Sequence, residues 1–147
     1  MRRFLTVLAS AVALVVAVLL PAPATFAANP YTPQEVCGSA YTQALGSFVI
    51  SDVATTYVRR NPSNGWKCVV TIKTRHIGTP TWVGAAIGKY HSDQASQVDQ
   101  GKFSYYAGPA KTGHTCVWAA GHNSPPSPIF GPDSAWTVKW PFPSTCS

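Results

Sequence analysis

Four cysteines, Cys37, Cys68, Cys116 and Cys146, all lie beyond an apolar leader, and that placement constrains the fold more than any other feature of the chain. The chain opens Met1-Arg2-Arg3, runs apolar from Phe4 to Leu20 apart from Thr6 and Ser10, and reaches small residues at Ala27. A basic start, an apolar stretch and a small-residue end make a secretory signal, with cleavage expected after Ala27. The run of about 17 residues approaches the roughly 20 that span a bilayer. Helix-breaking Pro21 and Pro23 nevertheless lead into Ala24-Thr25-Phe26-Ala27, the extended small-residue site a peptidase needs. No second long apolar run follows. Residues 1–27 are therefore read as a signal peptide and 28–147 as a single secreted domain with no membrane segment of its own.

Outside the cell disulfides persist, and four cysteines allow three pairings. Spacing leans toward Cys37 with Cys68 and Cys116 with Cys146. These close two loops of about 30 residues, each worth roughly 3 to 4 kcal/mol by loop entropy. No pair has the two-to-four-residue spacing of thiolate zinc ligands, which disfavours a metal site.

From Leu45 onward, short runs rich in valine, threonine, isoleucine and aromatics alternate with glycine, proline and asparagine. This is the pattern of an all-β domain. Phe48 to Ser51 and Thr55 to Arg59 read as strands, joined by the strong turn Asn61-Pro62-Ser63-Asn64-Gly65 to the cleanest strand, Trp66 to Arg75. Its period of two places Cys68, Val70 and Ile72 on the core side and Lys67, Thr71, Lys73 and Arg75 in water. Thr81 to Tyr90 is a strand whose Gly84, Ala85, Ala86 and Gly88 leave room for an aromatic from a facing sheet. Ser92 to Gly101 reads as a polar loop and Lys102 to Ala107 as a strand ended by Gly108-Pro109. Thr115 to Ala120 and Ala135 to Trp140 are the last strands, and Gly121 to Pro132, with four prolines, is an extended surface loop. No helix-period stretch is evident beyond the leader. About seven strands fit a small disulfide-stapled antiparallel β-sandwich or barrel, the sandwich being favoured. The five tryptophans, Trp66, Trp82, Trp118, Trp136 and Trp140, are needed mostly as core volume.

The formal net charge of +6 falls to +4 without Arg2 and Arg3. The remaining bases are scattered, with no dense run of the kind that marks a nucleic-acid groove. Such a surface drifts toward anionic polymers through an attraction that salt screens. His76, His91, His114 and His122 sit in no recognisable motif, and each reads as a turn or surface residue. Glu35, Asp52, Asp93, Asp99 and Asp133 give no assignable acid and base pair. Ser39 lacks a nucleophile elbow, and Gly108 to Gly113 lacks the lysine placement of a phosphate loop. No catalytic residue, cofactor or metal is implied.

Four phrases occur in order: Val36-Cys37-Gly38-Ser39-Ala40-Tyr41, Lys67-Cys68-Val69-Val70-Thr71-Ile72, Tyr105-Tyr106-Ala107-Gly108-Pro109 and Cys116-Val117-Trp118. Together they resemble the spore-associated protein A family of small exported proteins from spore-forming filamentous bacteria, over about Val36 to Trp118. The resemblance implies a location outside the cell or on the spore surface and brings no catalytic residues with it. The expectation is a non-enzymatic extracellular protein of the cell or spore surface, with an anionic wall or spore polymer as partner. The competing readings are a binding module or protease inhibitor presenting the Gly121 to Pro132 loop, and a small hydrolase.

Overall fold

A computed structural model of the chain describes residues 27–131, 133–139 and 146. The apolar leader from Phe4 to Leu20 lies outside the described residues, as does Trp140.

The first element is a helix that sequence reading overlooked, α1 (Pro33–Cys37), although its start signal was present. Thr32 caps it, accepting from Glu35 N while the Glu35 carboxylate accepts from Thr32 N, and Pro33 occupies the first turn where no donor is needed. Eight strands follow: β1 (Gln43–Ile50), β2 (Ala54–Arg60), β3 (Lys67–Lys73), β4 (Thr81–Lys89), β5 (Ala95–Phe103), β6 (Tyr106–Thr112), β7 (Val117–His122) and β8 (Thr137–Lys139). They form two antiparallel four-stranded sheets, β1-β2-β3-β6 and β5-β4-β7-β8, packed as a sandwich. The Asn61 turn forms as expected, with Gly65 N donating to Asn61 O and Asn61 N to Trp66 O.

Apolar side chains from both inner faces, among them Val58 and Val69 of the first sheet and Val83, Ile87 and Ala119 of the second, make the central core. A polar bridge crosses it. The Thr56 and Thr71 hydroxyls lie 2.8 Å apart, and Thr71 Oγ1 donates to Gly84 O at 2.9 Å.

Both outer faces are covered as well, and this reverses the expected orientation of β3. Val69 belongs to the inter-sheet core, so Lys67, Thr71 and Lys73, on the same side of the strand, point inward. Cys68, Val70 and Ile72 face outward, where α1 and the arm bury them against Cys37, Val36 and Tyr41. The two lysines are 5% and 3% exposed, values that rule out a solvated face. On the second sheet, Ala86, Trp118, Ala120 and Trp136 form an outer layer with Ile129 and Phe130. The proline-rich segment therefore lies down on the sheet through Ile129 and Phe130.

Three further expectations are corrected. Ser92 to Gly101 is largely strand, because β5 is an edge strand whose exposed side chains are polar apart from Val98 and so read as loop. Gly108-Pro109 lies within β6 at a register shift opposite Val69 to Thr71; β6 is also an edge strand, where a missing ladder donor is tolerated. The small residues of β4 admit bulk from the neighbouring strand of the same sheet. Gly88 pairs with Trp118 and Gly84 with His122, and a Cβ at either glycine would overlap the indole or the imidazole.

The free side of β6 is not left open. Asp99 Oδ2 accepts from Gly108 N at 2.6 Å and Gln97 Oε1 from Lys111 N at 2.6 Å, so side chains of β5 occupy backbone donors along that edge.

Candidate functional site

The disulfides join Cys37 to Cys68 and Cys116 to Cys146. The first pins α1 to the outer face of β3, and the second ties Cys146 to the residue before β7.

At one open end of the sandwich lies a cleft of about 230 Å³. Ala54 and Val83 form its apolar part, Trp82 stands at its side, and Lys73, Arg75 and His76 supply its polar part. Lys73 is there because β3 ends there with its inward residue, and burial holds its pKa below the ordinary lysine value. Its ammonium donates to His76 O at 2.8 Å, Thr79 O at 2.6 Å and Phe103 O at 3.2 Å. All three donors of the ammonium are thereby engaged, so Lys73 ties the β3–β4 turn to the end of β5 and is not free to grip a ligand. Arg75 pairs with Asp52 at 3.0 Å on the exposed rim, and Lys102 lies over the Trp82 ring at 5.6 Å.

Beside the arm, Tyr31 packs edge-on against Tyr105 and Tyr106, with ring centroids 5.3 and 5.0 Å away. Asn29 Nδ2 holds this corner by donating to Lys73 O and Tyr105 O.

His76, His91 and His114 are exposed, as expected. His122 is not: it is fully buried at the end of β7, packed at a tilt against Trp136 with ring centroids 4.1 Å apart. Its Nδ1 accepts from Ser124 N at 3.4 Å, while Nε2 has no partner among the described residues. Burial pushes its pKa below the ordinary histidine value. Among the carboxylates, Glu35 caps α1, Asp52 pairs with Arg75 and Asp99 accepts from β6. Among the described residues no histidine forms an ion pair with a carboxylate, and no group of three His, Cys, Asp or Glu residues is placed to hold a metal. Of the tryptophans, Trp118 and Trp136 are core, Trp82 is half-buried and Trp66 is 45% exposed.

These features define a small β-sandwich protein with covalently fastened ends. No protein-family model matches the chain, and no solved structure matches it. Spore-associated protein A of Streptomyces coelicolor (strain ATCC BAA-471 / A3(2) / M145) is 37% identical over 94 residues, covering 62% of this chain and 59% of that protein. The chain thus spans about three-fifths of the curated relative it matches, and the identity supports a relation to the spore-associated protein A family.

Proposed function

We propose that the chain is a non-enzymatic extracellular protein that resides at the cell or spore surface, held there by attraction to an anionic polymer. The observation that carries this reading is the 37% identity to a protein named for its association with spores. Two disulfides in a small fold are consistent with an oxidising exterior. Exposed Lys89, Lys102 and Lys139 provide the diffuse positive surface. The inhibitor reading loses its main argument, since the proline-rich segment is packed on the sheet through Ile129 and Phe130.

The test is retention of the oxidised protein on native wall or spore material across a salt series. Retention that falls steadily with salt is expected, because exposed charges beyond about 8 to 10 Å are screened at physiological ionic strength. Salt-independent retention would refute the electrostatic mode of attachment, and absence of the protein from surface fractions would refute the location.

A further inference from the structure

β2 and β3 pair so that Arg60 stands directly opposite Lys67. Residues opposite each other in an antiparallel ladder share a face, with Cβ atoms about 5 Å apart, and like charges so placed destabilise the pair. The face is the inward one, carrying Val58 and Val69 into the core, and this end of the sandwich lies opposite the cleft at Lys73. Lys67 is 5% exposed and gives a single hydrogen bond, from Nζ to His114 O at 2.8 Å. Burial, and after it the charge of Arg60, holds the Lys67 pKa below the ordinary value.

Arg60 is less provided for still. Its Nε is fully buried without an acceptor, and among the described residues its guanidinium takes part in no hydrogen bond or ion pair. The guanidinium remains reachable, because Arg60 is only half-buried and the adjoining turn presents Gly65 to it. A Cβ there would stand 4.0 Å from Nη2, so the glycine leaves that side clear. Buried cations are ordinarily paired, and an unpaired one beside a second cation costs stability that a Met or Leu would not. An anion bound between the two charges would offset that cost.

We propose that Arg60 and Lys67 form a binding site for a phosphate group. The guanidinium offers a planar fork of N–H donors and the ammonium a point charge beside it. A carboxylate would be satisfied by the fork alone, whereas a phosphate group has a further oxygen for Lys67, and the two positive charges suit its negative charge. The group is either a free ion or part of a phosphodiester polymer; the second source rests on the surface reading above, and the site itself does not.

The experiment measures thermal unfolding of the oxidised chain at constant ionic strength, titrated with inorganic phosphate, with a polyphosphate chain and with polyglutamate. A saturable rise in Tm with phosphate, polyphosphate or both is expected, since a ligand that binds only the folded state stabilises it by mass action. Saturation by the free ion assigns an ion site, and saturation by the chain alone assigns a polymer site. Arg60→Gln should weaken the response at least tenfold while raising Tm in the absence of anion, because it removes the repulsion. Arg60→Lys should keep part of the response, and Gln100→Ala, on the exposed edge strand β5, should leave it unchanged. The proposal is overturned by a flat response of the wild type, by an equal response of Arg60→Gln, by a lower anion-free Tm in that variant, or by polyglutamate acting as strongly as phosphate. None of these outcomes depends on whether the protein is retained on a surface.

Discussion

Lys73→Ala tests whether the inward face of β3 has been assigned correctly. On a solvated face the change would cost about 0.5 kcal/mol or less. In the structure Lys73 is 3% exposed and bonded to three carbonyls. Truncation to alanine removes three buried methylenes, worth about 2.4 kcal/mol at ~0.8 kcal/mol each. It also removes charge-assisted hydrogen bonds of about 1.5 to 3 kcal/mol apiece. Their sum is not lost in full. His76 and Thr79 are exposed, so their carbonyls regain water, and the desolvation of the ammonium is recovered when it is deleted. The equivalent of one such bond remains, which puts Lys73→Ala at about 4 to 5 kcal/mol. Lys73→Met, which keeps most of the apolar stem, should cost about 1 to 3 kcal/mol. Urea unfolding of the oxidised protein reads this out: at slopes of about 1 to 3 kcal/mol per M, the alanine midpoint falls by at least ~1 M. Exposed Lys89→Ala serves as the control. Equal midpoints for Lys73→Ala and Lys89→Ala would refute the inward placement, and equal losses for the alanine and methionine variants would refute the division between stem and head group.

Two further outcomes follow from the covalent and titrating groups. Replacing Cys37 and Cys68 together by alanine should lower the stability of the otherwise oxidised chain by roughly 3 to 4 kcal/mol, from the release of a loop of about 30 residues; an unchanged urea midpoint would show that α1 is held by packing alone. His122 has its folded pKa lowered by burial, so the folded state binds fewer protons than the unfolded one below the ordinary value of 6.5. Its contribution is complete above that pH and is lost as pH falls toward the folded value, so stability should decline on acidification from 6.5, and His122→Gln should lack that part of the decline; identical pH profiles for the two proteins would contradict it.

The strands and the turn at Asn61 were legible because hydrophobic runs and punctuating residues are local signals. Which way a strand faces is not local when both sides are covered. Cys68, Val70 and Ile72 were correctly seen as one apolar row, but their cover is α1, a segment 31 positions earlier that the disulfide pins across the sheet. Lys67 and Lys73 look solvent-bound in any window of sequence, and carbonyl partners as distant as His114 and Phe103 reveal them as interior. β5 was missed for the opposite reason: an exposed edge strand has no apolar row to read. The opposition of Arg60 and Lys67 depends on hairpin register, which the turn fixes and composition does not. The helix was the avoidable omission, since Thr32-Pro33-Gln34-Glu35 carries a full capping signal.

α1 has five residues, far short of a length that sustains a helix alone in water. What it shelters, the outward row of Cys68, Val70 and Ile72, would otherwise be a bare apolar strip in the middle of a sheet. While the thiols are reduced, only packing and the hydrogen bonds of Arg59 to Tyr41 O and Gln34 Oε1 hold that shelter, a looser fastening than the covalent one. The arm is a clasp whose tightness is set by the redox state of its surroundings.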